Sequence, residues 1–440
     1  MMYRPNYVPK QKKKLNYKVV VPLVVLFALG MYIIVATLIK NETPQETGYA
    51  ICGLNDYDSR KLLEKRQEEV LKNMETLPMN DYGVYGESLT LYQNAFSFNT
   101  ADPMIGRTVT LTNLCKPQEQ FTFLFGSNLD MRIPLDTLPE GFYDVDVLAD
   151  LKHYALVSDA TLTDTFSTVV RDGLVNNATI HATQDLFDIG EEKVLNKNYV
   201  FLEVKSAQPA EEEYDIVLDP AGGSIQYNGT SDPGNTYGEF IERDEMYTAA
   251  VEIKSILESH GLRVLIARDN ITPVNVFGAG GRIYDAYNFK AKYYIQLQLG
   301  TSGSSMDRGM MSLFSNHASN RLSTSIVNSL LRSTSLQTTP YDDGDNINGV
   351  FRTSSLSGFD YNDVVRETGG KFTGSGLLDE DFSELQGFAK DFRNGMYGIT
   401  LLYGYLTDGD DYHVWSTEKD KIIEATAQGI LDQLNIGGEN

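Results

Sequence analysis

Between Leu89 and Val204 the apolar positions repeat with period two. Phe121, Phe123 and Phe125 flank Thr122 and Leu124, and Tyr143, Val145 and Val147 alternate with Asp144 and Asp146 after the turn Pro139-Glu140-Gly141. Further runs lie at Val109–Leu114, Ala178–Thr183 and Tyr199–Val204. Successive side chains on a strand point to opposite faces, so short runs of this kind predict a β-sandwich-like domain over 89–205. After Tyr214 the period changes. The apolar run Ile216-Val217-Leu218 ends in Asp-Pro-Ala-Gly-Gly, a buried strand entering a tight loop. Met246, Ala249, Ala250, Ile253, Ile256 and Leu257 form one helical face over Glu242–His260, and Gly261 stops it. Strands are expected at Arg263–Ala267, Tyr293–Leu299, Gly309–Phe314 and Ile399–Leu406. Helices are expected at Arg282–Lys290, Leu322–Leu331 and Glu418–Leu434. Such alternation predicts an α/β domain over 214–440, a sheet with helices on both faces.

The remaining stretches read as connections. Ser206–Glu213, SAQPAEEE, has the composition of a linker. Thr338–Gln386 is rich in Gly, Ser and Asp, shows little period, and is expected as an unusually long connection. Within a stem at 40–88, Ser59–Met74 places Leu63, Val70, Leu71 and Met74 among many charges, one amphipathic helix expected as a stalk.

Charge adds a topology. Between Lys18 and Lys40 lie 21 residues without a charge, close to the ~20 that cross a bilayer core. Met1–Lys18 holds six basic residues and no acid. The positive-inside rule then predicts a cytoplasmic tail at 1–18, a single transmembrane helix at 19–39 and the bulk of the chain outside the cell membrane. The formal net charge is −23, which argues against a nucleic-acid partner. Cys52 and Cys115 both fall outside, where a disulfide is possible; two partly buried thiols are the expected state. His153 and His181 have no acidic or cysteine partner at useful spacing and read as surface or core residues; His260 sits beside the helix-ending Gly261, and His413 is expected in a loop after Asp410 and Asp411.

Candidate chemistry sits in the α/β domain. IVLDPAGG, then IERDEMYTAAVEIKSILESHGLRVLIARD, then GRIYDAYNFKAKYYIQLQLG, and finally ITLLYGYLTDGDD resemble, in order and spacing, the zinc-dependent N-acetylmuramoyl-L-alanine amidases over about Tyr214–Ile436. Arg268, Arg282 and Ala286 fall on positions that family commonly uses, and Gly404, Tyr405 and Leu406 fall on its G-F-L. The resemblance implies peptidoglycan as substrate and a zinc held by two histidines and a glutamate. Carried over one at a time, most of these residues change. Gly222 stands at the first histidine, or Ala221 with a one-residue gap. Glu242 matches the glutamate ligand. Gln298 replaces the second histidine, and Leu402 replaces the catalytic glutamate.

A catalytic zinc needs about three protein ligands and an open position for water, with a carboxylate to move the proton. An amide oxygen is a weak donor to zinc. No catalytic residue and no cofactor is therefore expected. Asp219, Asp232 and His317 are the remaining residues in the domain that might rebuild a metal site, with His317 expected to cap a helix. Glu242 reads as an acid favoured at a helix N-terminus.

Two functional readings follow. One is a membrane-anchored bacterial cell-wall protein that keeps the amidase fold without its chemistry and binds peptidoglycan or a wall-remodelling protein. The alternative is an active amidase with a non-standard metal site, for which zinc would be the cofactor. In either, a cleft is expected over Asp219–Gly223, Glu242, Gln298 and Leu402, with Thr338–Gln386 as its natural cover.

Overall fold

The computed structural model describes residues 51–93, 106–125, 133–184, 194–341, 347–353, 355–356, 359–370 and 393–436. The expected cytoplasmic tail at 1–18 and the expected transmembrane helix at 19–39 lie outside them. Among the described residues no helix is long and apolar enough to cross a membrane.

The first domain opens with α1 (Asp56–Asn73), started by Asn55, whose side chain accepts from Asp58 N at 3.0 Å. The strands follow: β1 (Glu75–Pro78), β2 (Asp81–Tyr85), β3 (Ser88–Tyr92), β4 (Arg107–Asn113), β5 (Gln120–Phe125), β6 (Ile133–Pro134), β7 (Gly141–Ala149), β8 (Lys152–Val157), β9 (Leu162–Ser167), β10 (Val175–Thr183) and β11 (Tyr199–Ala207). They begin at Glu75, ahead of the expected start at Leu89. The larger sheet has the order β5-β4-β7-β8-β11-β10-β9, with β1 added on β8. The alternation of β4, Val109 and Leu111 in and Thr108 and Thr110 out, matches burial on one face only. That inner face packs on β2, β3 and β6 through Tyr82, Val84, Leu89 and Leu91. The outer face is covered by α1, whose Leu63 and Val70 pack with Phe142, Ala155 and Phe201. The amphipathic helix is therefore a layer of the domain rather than a stalk.

Ile51 is buried in the same cluster, and Leu114 packs against it. This brings Cys52 to the end of β4, where it forms a disulfide with Cys115, Cα to Cα 5.5 Å. The expectation of two thiols is corrected: 63 residues of separation hid a contact that only the packing of α1 creates.

The second domain contains β12 (Ile216–Pro220), the hairpin β13 (Thr236–Tyr237) and β14 (Phe240–Ile241), α2 (Glu242–Ser259), β15 (Val264–Ile266), α3 (Arg282–Asn288), β16 (Tyr293–Gly300), β17 (Met311–Phe314), α4 (Arg321–Ser333), β18 (Val350–Arg352), β19 (Ser355–Leu356), β20 (Phe359–Asp360), α5 (Asp363–Thr368), β21 (Asn394–Gly395), β22 (Tyr397–Tyr405) and α6 (Gly409–Gln433). Its sheet runs β15-β12-β16-β22-β17-β18. The first four of these strands are parallel, and β17 is antiparallel to β22. α2, α4 and α6 bury Ile253, Ile326 and Ile430 against one face. α3 and α5 bury Ile283 and Val364 against the other. The α/β expectation with helices on both faces holds.

Three details differ from the sequence reading. α6 begins at Gly409, where the Asp408 side chain caps it by accepting from Asp410 N and Asp411 N at 3.0 and 3.1 Å, and it kinks at Glu418 (φ −122°, ψ 15°), where the expected helix begins. His413 therefore lies on a helix. The stretch expected as one irregular connection holds β18, β19, β20 and α5, elements too short to show a period. The linker is also tied down. Glu213 accepts from Ser167 in β9 and from Lys290 Nζ at 2.9 Å, partners that composition does not reveal.

The domains are joined by more than this linker. β21 pairs in parallel with β2, Val84 opposite Asn394, so the second half of the chain adds a strand to the smaller sheet of the first domain. Around it, Glu87 accepts from Val169 N at 2.6 Å, from Arg171, and from the Tyr293 hydroxyl at 3.2 Å. Asp215 accepts from Val170 N and from Arg263.

Candidate functional site

The four parallel strands end together, and the loop after β12 is fixed there by two arginines. Asp219, fully buried, accepts from Arg282 Nη1 at 2.8 Å. Arg282 also donates to the carbonyls of Val274 at 3.0 Å, Pro220 at 3.2 Å and Gly222. Arg268 donates to the carbonyls of Pro220, Ala221 and Arg243 at 3.0, 2.8 and 2.7 Å. Every carbonyl from Pro220 to Gly222 is thus held by a guanidinium. Burial, with Arg282 close by, pushes the Arg268 guanidinium down to about 10.

Gly222 has φ +73°, and a Cβ placed there would lie 2.9 Å from Arg243 Cβ. A side chain at this position is disfavoured by conformation and by space together. Ala221 is buried, its amide donating to Leu297 O at 2.9 Å.

Glu242 opens α2 and is buried. Its Oε2 accepts from Asn235 N at 2.8 Å and Asn235 Nδ2 at 3.0 Å, and its Oε1 accepts from Leu299 N at 2.8 Å. A carboxylate offers about four acceptor sites, so most are taken by protein donors. The Asn235 amide also donates to Leu299 O at 2.8 Å and accepts from Thr301 Oγ1 at 2.7 Å. Glu242 and Asn235 together tie the β12–α2 loop to the end of β16. Burial pushes the Glu242 carboxyl above the ordinary range, against the pull of the donors from Asn235 and Leu299.

Gln298 and Leu402 face each other across the β16–β22 register. Gln298 Nε2 donates to Gln296 Oε1 at 2.7 Å, and Gln296 Nε2 donates to Asp219 Oδ2 at 3.3 Å. Thr400 Oγ1 also donates to Gln296 Oε1, at 3.3 Å. A row of amides and one hydroxyl thus runs from Asp219 across the strands.

The fold brings Gly222, Glu242, Gln298 and Leu402 to the same end of the sheet. It does not bring His317 there. That residue follows β17 at the opposite end, and the N-cap of α4 is Asn320, not His317. Asp232 accepts from Gly234 N at 3.0 Å and from Gln226. Among the described residues no three His, Cys, Asp or Glu side chains converge to hold a metal. The residues present do not fit the zinc that the resemblance implies, and no chemical step is derived through it.

Sequence reasoning missed two residues of this end. Asp411 accepts from Gly309 N at 2.7 Å and Tyr405 N at 2.8 Å, and burial raises its carboxyl above the ordinary range. Asn235 lies in a Gly- and Pro-containing loop, where asparagine signals only a turn. Two histidines also have partners the spacing hid. His153 meets Asp146 at 3.1 Å and His181 meets Glu203 at 3.2 Å, each from a neighbouring strand.

No family model and no curated protein matches the chain. Solved structures to which it is similar include N-acetylmuramoyl-L-alanine amidases. The catalytic domain of CwlV from Bacillus (Paenibacillus) polymyxa is 18% identical, with 51% of this chain and 99% of that chain covered and a TM-score of 0.35. AmiC2 of Nostoc punctiforme is 19% identical, with 52% and 99% covered and a TM-score of 0.34. The CwlD amidase of Clostridioides difficile, solved in complex with the GerS lipoprotein, is 16% identical, with 51% and 99% covered and a TM-score of 0.33. These names are those of the family that the sequence motifs resemble. At such identities and scores the likeness carries nothing about metal, substrate or turnover.

Proposed function

We propose that this chain is a membrane-anchored, extracytoplasmic, amidase-like protein of the bacterial cell wall that binds peptidoglycan or a wall-remodelling partner without hydrolysing peptidoglycan. One observation carries the reading. The register sets Gln298 beside Leu402 where the family pattern has a ligand and a proton carrier, while Glu242 spends its oxygens on Asn235 and Leu299. The Cys52–Cys115 disulfide supports an extracytoplasmic place, because such bonds persist in oxidising compartments. The uncharged run at 19–39 supports a single-pass anchor.

The test uses the full chain in detergent, with metal content, sacculus binding and muropeptide release measured on one preparation. The expected result is substoichiometric zinc and no release, with binding to sacculi or to a cross-linked wall protein. Stoichiometric zinc that disappears in Glu242→Ala, together with release, would establish the active-amidase reading instead.

A further inference from the structure

Large hydrophobic side chains exposed on the second domain are unevenly placed. Among the described residues, seven of eleven lie in the connections from β12 to α2, β15 to α3 and β16 to β17, at the end where the parallel strands finish. Ile225 and Tyr227 follow β12, Tyr237 sits on the β13–β14 hairpin, Ile271 and Phe277 follow β15, and Met306 follows β16. Tyr227 is fully exposed and Ile271 is 88% exposed. The loops form one continuous rim. Ile225 N donates to Asn275 Oδ1 at 3.0 Å, Tyr237 packs on Tyr412, and Ser302 N donates to Thr407 Oγ1 at 2.9 Å. Single exposed hydrophobics need no explanation, but a contiguous apolar patch marks an interaction surface.

The same loops are acidic. Residues 221–241, 267–281, 301–310 and 406–411 hold seven carboxylates, two arginines and no lysine. One of the arginines, Arg268, is buried under the β12 loop, which leaves Arg308 as the cation that faces out from these loops.

We propose that this rim docks a polypeptide segment of another protein, one that carries lysine or arginine beside aliphatic or aromatic anchors. Charge complementarity selects that occupant. An anionic wall polymer or an anionic membrane surface meets like charge here. A second copy would bring the same acidic rim against itself. The exposed Ile, Tyr and Phe side chains of the rim supply anchors to be buried against such a segment, and the carboxylates set orientation and on-rate. The proposal rests on the non-hydrolytic reading in one respect: the strand ends are taken as a binding face and not as a catalytic cleft.

The test uses the full chain in nanodiscs of zwitterionic phosphatidylcholine, with empty nanodiscs as control. The probes are an amphipathic Leu/Lys peptide and its Leu/Glu counterpart, followed by fluorescence anisotropy. Expected is binding of the cationic peptide alone, weakened by added salt. The pair Tyr227→Ser and Phe277→Ser, and separately the pair Glu239→Lys and Asp410→Lys, should each weaken it by about tenfold or more, roughly 1.4 kcal/mol. Tyr361→Ser, at the other end of the sheet, should not. Thermal melts of each variant show that the fold is kept. Equal binding of both peptides, binding of neither, or binding that ignores the rim substitutions overturns the proposal. So does sedimentation in which the rim variants turn a dimer into a monomer, because the occupant is then a second copy. Muropeptide release is measured on the same nanodiscs, so failure of the non-hydrolytic reading is seen separately from failure of docking.

Discussion

The two ends of the second domain's sheet both bury carboxylates, and they use them differently. At the end where the parallel strands begin, Asp215 meets the Arg263 guanidinium at 2.7 Å and Glu87 meets Arg171 at 3.2 Å. The same two carboxylates join one domain to the other, Asp215 by accepting from Val170 N and Glu87 by accepting from the Tyr293 hydroxyl. At the end where the strands finish, Glu242 and Asp411 hold mainly backbone amides of neighbouring loops, from Asn235, Leu299, Gly309 and Tyr405. There Arg268 and Arg282 are turned inward, onto Asp219 and the carbonyls of the β12 loop. The contrast teaches that the acids of the candidate site serve as loop fasteners. A group already satisfied by backbone donors has little left to offer a metal.

The comparison is broken most severely by removing a cation from the upper end. Arg282→Met leaves Asp219 buried without its ion pair and frees the carbonyls of Val274 and Gly222, while Pro220 O keeps its bond from Arg268. Breaking such a pair costs about 3–5 kcal/mol, and chemical denaturation should show that loss. At the lower end, Glu87→Gln exchanges an acceptor for a donor that faces Val169 N, Arg171 or Tyr293. A loss of about 2–3 kcal/mol is expected. Calorimetry should then resolve two transitions where the wild-type domains melt as one.

The smallest effect sharpens the comparison by its pH dependence. Lys292 lies at the junction, and burial pushes its ammonium down to about 8 from 10.5, against the pull of Glu213. The folded state therefore holds fewer protons than the unfolded chain between pH 8 and 10.5, and this group's contribution to stability rises with pH across that window. Lys292→Met removes the cost of burying the charge. It should stabilise the protein by on the order of 1–2 kcal/mol at neutral pH, with the gain shrinking as pH rises above 8. A gain independent of pH would show that packing, and not protonation, is responsible.

The legible parts of the fold were those with an uninterrupted period. Met246 to Leu257 announces α2, and Phe121 to Phe125 announces β5, because one buried face writes its repeat directly into the chain. Strands of two or three residues, such as β18 and β21, write no repeat. The disulfide, the His181–Glu203 pair and the pinned linker depend on long-range contact and have no local signature. At the site, Gly222, Glu242, Gln298 and Leu402 were located by motif, and the fold gathers them at one end. What each does was less legible. An acid at a helix start predicts a favourable dipole, yet Glu242 is held by a loop asparagine and a strand amide. The segment expected to cover the cleft divides between the two ends: Thr338 bridges Met310 where the parallel strands finish, whereas α5 lies towards the start of β22, with Met396 N donating to Thr368 O, and residues 371–386 lie outside the described residues.

The pairing of β21 with β2 gives the chain an order of completion. During synthesis the first domain appears first, yet one strand of its smaller sheet is made of Asn394 and Gly395, about 300 residues after β2 and β3. Until those residues arrive, β2 is an uncovered edge, the kind of surface that recruits strands from other chains. A protein stopped at residues 206–213 would carry that edge permanently. Such a long closure is slow to form, so the first domain to be made is the last to be finished. What looks in the sequence like a joint between two modules acts during folding as a seal, set only when most of the chain has been made.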